Sequence, residues 1–61
     1  MTLWRVEAPH FVAGFITRSD GIIIRAAPII VRQRWRDIYH AIARCQWHGW
    51  VLERITYEDG P

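Results

Sequence analysis

The sequence contains no lysine, one cysteine, one methionine and three prolines in 61 residues. A lone cysteine excludes an intramolecular disulfide framework and fits a reducing compartment. The longest apolar runs, 22–24 and 26–31, are separated by Arg25 and fall far short of the ~20 residues that span a bilayer. The first six residues bring Trp4 and Arg5 rather than a basic start and an apolar run, so no secretory signal is read there. A cytoplasmic chain with no membrane segment is the expectation. No Gly-rich phosphate loop, paired carboxylate, linker, repeat or low-complexity tract is present, and Asp20-Gly21 reads as a turn rather than part of a P-loop.

What is present is apolar and aromatic. Residues of the hydrophobic set make up 51% of the chain, which excludes an intrinsically disordered protein of this size. There is room for one domain, residues 1–61. A domain this short buries only about 60% of the surface its unfolded chain exposes. Such folds usually rely on a disulfide, a metal or a partner subunit. Four Trp, two Phe and two Tyr are more ring volume than so small a core comfortably hosts. Exposed rings usually mean an interface, so a protein partner or a homodimer is expected.

Residues 2–7 alternate loosely and predict a strand. Ala8-Pro9-His10 predicts a turn, and the β-branched and aromatic run 11–17 a second strand. Gly14 within it suggests a bulge or a close contact with a neighbouring ring. Ser19-Asp20-Gly21 is a hairpin signal leading to a third strand over 22–26. From about Arg32 the period changes. Trp35, Ile38, Ile42 and Cys45 form one apolar helical stripe, and Arg32, Gln33, Arg36, His40 and Arg44 gather opposite it. Gly49 is the natural stop. Residues 50–57 predict a last strand, and the acidic end 58–61 should fray. The order β-β-β-α-β implies a two-layer α+β domain, an antiparallel sheet packed against one amphipathic helix. The fourth strand either flanks the first in the same chain or pairs with another chain.

The first half carries a distinctive string: Trp4-Arg5-Val6, Pro9-His10-Phe11-Val12-Ala13-Gly14, Gly21, and Ala26-Ala27-Pro28-Ile29. Over residues 3–30, about half the chain, it resembles very short accessory proteins encoded by bacteriophages and prophages. The resemblance implies a phage accessory protein, and proteins of that kind without a catalytic set often inhibit host defence or host enzymes by binding. It supplies no catalytic residue to carry over.

Charge is segregated. Residues 28–48 sum to +3, residues 49–61 to −2 and residues 1–27 to +1. Arg32, Arg36 and Arg44, with His40 beside them, suit phosphates or an acidic protein surface. The plainer reading is a solvated helix face. Trp47-His48-Gly49-Trp50 places two rings around a turn, with Trp50 the better core residue and Trp47 the better exposed anchor. The partner-binding set is therefore Arg32, Arg36, His40, Arg44 and Trp47. His40, Cys45 and His48 have zinc-like spacing, with His10 as a conceivable fourth ligand. On a continuous helix Cys45 and His40 point apart, so Cys45 reads as a small core residue and no metal or cofactor is expected. Nucleophilic catalysis has no support either, because Cys45 is the sole candidate and its expected place is the core. The expected function is a non-enzymatic inhibitor of a host defence protein, such as a CRISPR effector, with nucleic-acid binding through the same Arg face as the alternative.

Overall fold

The computed structural model of the chain describes residues 1–55. The acidic end and the last two residues of the expected fourth strand lie outside them. Four strands and two helices follow in the order β1 (Thr2–Ala8), β2 (Phe11–Thr17), β3 (Ile23–Ala26), α1 (Pro28–Gln33), α2 (Ile38–His48) and β4 (Val51–Ile55). All neighbours are antiparallel and the sheet order is β3-β2-β1-β4. The two-layer α+β class is as the sequence predicts, and β4 flanks β1 within the same chain.

The pleat sorts the strand residues. Trp4 pairs with Phe15 and Arg54, and Val6 with Ala13 and Leu52, so these side chains share the helix-facing side. Val6, Phe15 and Thr17 are buried there almost completely. Leu3, Arg5, Glu7, Val12, Ile16, Val51 and Glu53 point to the other face, where Arg5 bridges Glu7 at 3.0 Å and Glu53 at 3.9 Å. The bulge suggested at Gly14 lies elsewhere, between Ile16 and Thr17. Gly14 instead marks a close approach of backbone, since a Cβ there would sit 3.3 Å from the Trp4 carbonyl oxygen.

The β2–β3 connection is locked by its own polar atoms. Arg18 donates to both carboxylate oxygens of Asp20, at 3.2 and 2.7 Å, and Asp20 Oδ1 accepts from the Ile22 N–H. The Arg18 guanidinium, and then that N–H, hold the Asp20 carboxyl below the ordinary carboxylate range. Gly21 has φ 89°, and a Cβ there would also lie 3.0 Å from the Ile38 methyl, so glycine is required twice over.

The single helix expected from Arg32 onward is two helices. Pro28 occupies the first turn of α1, whose fixed φ suits that position. Arg34 then turns into the left-handed region at φ 59°, ψ 33°. Residues 36–38 run as a strap along the outer edge of β3. The Ile23 N–H donates to the Arg36 carbonyl (3.1 Å) and the Ile38 N–H to the Gly21 carbonyl (2.8 Å). These bonds to β3 outcompete helix continuation. Asp37 restarts the helix by accepting the His40 N–H at 2.9 Å. α2 ends at Gly49 (φ 76°), with the Gly49 and Trp50 N–H groups returning to the Gln46 and Cys45 carbonyls.

The break moves Trp35 off the predicted helical stripe without exposing it. Its ring packs edge-on to Phe15 at 6.1 Å and tilted against Trp50 at 6.5 Å. Trp4 stacks on Phe15 at 6.3 Å, and Phe11 meets Trp50 edge-on at 5.1 Å. Ala41, fully buried, fills the place on α2 that the stripe assigned to Ile42, which is 38% exposed. The Trp4 Nε1–H donates to Thr17 Oγ1 at 2.9 Å, while the buried Trp35 Nε1–H has no partner among the described residues.

Thr17→Val strands the Trp4 N–H and should lower stability by about 1–3 kcal/mol. In a Trp4→Phe background the same change should cost much less, which urea denaturation of the four-member cycle measures. Arg34→Gly relieves the left-handed backbone of its Cβ and should raise stability by up to about 1 kcal/mol in the same assay.

Candidate functional site

The outer stripe of α2 is set by helical geometry. His40, Arg44 and Trp47 recur at spacings of four and three residues, opposite the buried Ile38, Ala41 and Cys45. The buried set faces the sheet, so the first set must face solvent, and all three residues are exposed. Trp47 is 74% exposed, as the sequence predicts.

This surface is not a loose fringe. The Arg44 guanidinium carbon sits 5.3 Å from the centroid of the Trp47 ring, within cation–π range. Trp47 meets His48 edge-on at 4.8 Å, and His48 stacks on Trp50 at 3.9 Å with the planes only 10° apart. Trp50 in turn touches Trp35 and Phe11 in the core. An unbroken series of rings thus runs from the core to the solvent at the C-terminal end of α2. A binding anchor held this way loses little side-chain freedom when a partner covers it.

The remaining predicted residues do not share that stripe. Arg32 lies in the last turn of α1, and Arg36 lies on the strap beside β3. Both are exposed. The structure therefore joins Arg44 to Trp47, keeps His40 on their stripe, and distributes Arg32 and Arg36 over other elements. A single Arg face was read because the break at Arg34–Asp37 was not. Asp37 in the Asp-x-x-His pattern was the available signal for a helix start there.

The zinc-like spacing does not become a cluster. Cys45 is buried against the sheet, where burial pushes its thiol pKa up, and His40 lies on the opposite side of α2. Among the described residues no group of three His, Cys, Asp or Glu side chains comes together.

One feature escaped the sequence reading. Between α2 and the β1/β4 half of the sheet runs an apolar groove of about 350 Å³, lined by Trp4, Ile42, Cys45, Gln46, Trp50 and Leu52. It exists because Ile42 projects past the core instead of into it. Its recognition required the β1–β4 pairing, which the sequence left open. Its lining offers apolar contact, one neutral amide and the buried thiol of Cys45.

No helix among the described residues is long and apolar enough to cross a membrane. Comparison with protein-family models, curated proteins and solved structures finds no match to this chain.

Trp47→Ala should leave stability within about 0.5 kcal/mol of the parent, since it removes an exposed ring. Trp50→Ala, which opens the aromatic core, should cost about 3 kcal/mol. Thermal unfolding of the two variants side by side separates surface anchor from core ring.

Proposed function

We propose that this chain is a non-enzymatic phage accessory protein that binds a host protein and inhibits it by occlusion, the target being a component of a bacterial antiphage defence system such as a CRISPR effector. The observation that carries the binding role is the exposed Trp47, backed by His48 and Trp50 and capped by Arg44. Trp and Arg are the residue types that dominate binding hot spots. The choice of target class rests on the resemblance of residues 3–30 to short phage-encoded proteins.

Arg44 supplies a planar, always-charged donor group beside the apolar ring, suited to a carboxylate on the target. His40 extends the same stripe by one turn toward the N-terminus of α2. Arg32 and Arg36 steer an acidic surface from a distance, as exposed charges do, and affect encounter rate more than dwell time.

The test is affinity capture of the target from host lysate by the full chain, with an Arg44→Ala/Trp47→Ala variant as control. A protein retained by the parent and lost by the equally folded variant, and whose activity falls when the parent is added back, is the expected result. Equal retention by both chains would remove this surface from the reading. Retention of nucleic acid alone, released steeply as salt rises, would overturn it in favour of a nucleic-acid-binding protein.

A further inference from the structure

The two edges of the sheet are treated differently. The strap bonds the outer edge of the β2–β3 hairpin at Gly21 and at Ile23, the first residue of β3. The outer edge of β4 has no strand partner among the described residues. Beside that bare edge lies the apolar groove floored by Trp4 and Leu52. We propose that β4 pairs antiparallel with β4 of a second copy about a two-fold axis at Leu52, joining the two sheets into one of eight strands.

The sequence of the strand, Val51-Leu52-Glu53-Arg54-Ile55, selects that register. In a two-fold antiparallel pair lying in one continuous sheet, a residue must sit at the axis, because directly opposed residues share a face. An axis at Glu53 sets carboxylate against carboxylate, and an axis at Arg54 sets guanidinium against guanidinium. Like charges directly opposed destabilise a pair. An axis at Val51 pairs only that residue with its copy within β4, and an axis at Ile55 pairs no described residues besides Ile55 with its copy. Leu52 is therefore the register that joins several described residues without opposing like charges. An axis at Leu52 opposes Leu52 to Leu52 on the helix side and Val51 to Glu53, twice, on the outer side.

Each remaining group is accommodated in that register. The two Leu52 side chains meet where each groove opens, so apolar lining from one copy faces apolar lining from the other. Glu53 keeps its own Arg5, 3.9 Å away on the neighbouring strand. The surface of α2 that carries Arg44 and Trp47 points away from the sheet, so a dimer presents two such surfaces and this assembly stands independently of the proposed target.

Light scattering on the intact chain should give twice the chain mass, falling to the monomer on dilution. Register is read by mild oxidation of a Val51→Cys/Glu53→Cys variant, whose new thiols are on the exposed outer face. Directly opposed positions lie close enough for a disulfide, whereas positions two apart along one strand do not. The expected result is a cross-linked dimer from the double variant and none from Val51→Cys alone. A monomeric mass at high concentration overturns the proposal. Cross-linking of Val51→Cys alone, which keeps the Glu53 carboxylate, overturns the register. Leu52→Lys, which opposes two ammonium groups at the axis, should abolish the dimer while circular dichroism reports an unchanged fold; a dimer that persists in that folded variant also overturns it.

Discussion

The fold depends on the packing of Trp50 against Trp35 and Phe11. Trp50 is the residue at which the chain leaves α2 and enters β4, and Trp35 is the residue between the two helices. Their rings meet at 6.5 Å over the sheet, with Phe15 beneath Trp35 and Phe11 against Trp50. This contact fixes the rotation of α2 about its axis. Ala41 and Cys45 then face the sheet, and the same rotation carries His40, Arg44 and Trp47 outward. The candidate interaction surface is therefore a consequence of core packing, and the stack through His48 ties the two mechanically.

The strap follows from the same constraint. Trp35 must reach the core, and a continuous helix from Pro28 to His48 would have to run straight across a sheet only four strands wide. The chain instead takes a left-handed turn at Arg34, lays 36–38 along β3 and restarts at Asp37. A Cβ-bearing residue in that conformation costs about 1–2 kcal/mol relative to the right-handed region. The gain is a buried indole and two backbone hydrogen bonds to the β2–β3 hairpin, which cover the start of the β3 edge. Among the described residues no strap lies against β4, whose sequence carries Glu53 and Arg54 instead.

Much of this was legible in the sequence. The three N-terminal strands are marked by β-branched and aromatic runs between Pro9-His10 and Asp20-Gly21, and those runs match the observed β1 to β3 closely. Trp47 was readable as an exposed ring because Trp50 beside it begins a strand, whereas Tyr39, equally exposed at 74%, was read beside the apolar stripe. Two things were not. The helix break lies in Arg34-Trp35-Arg36-Asp37, where apolar and charged residues happen to keep helical spacing; periodicity cannot separate a helix from a strap that returns its large ring to the same core. The groove depends on which strand β4 joins and on how far Ile42 overhangs it, and both are tertiary facts. Local rules placed the three N-terminal strands and α2, and missed both the start of α1 at Pro28 and the segment whose backbone partners lie in another hairpin.

The distribution of arginine bears on how such a small surface would achieve selectivity. The +3 segment, residues 28–48, suggests an electrostatic face when read as one helix. Folded, it spreads Arg32, Arg34 and Arg36 over α1 and the strap, and leaves Arg44 alone beside Trp47 on α2. Dispersed exposed charges are screened within about 8 Å at physiological salt, so they add little to a complex once formed. A guanidinium stacked on an indole is different, because partner burial removes water from both at once and strengthens the charge it excludes from solvent. Discrimination then rests on whether a partner offers a pocket for the indole and an acceptor for the guanidinium at the fixed separation of 5.3 Å. A duplex supplies the acceptor with its bases already stacked on one another, whereas an unstacked base of a single strand can stack on the indole. A folded protein surface supplies both pocket and acceptor, which favours protein over duplex nucleic acid as the proposed partner of this face.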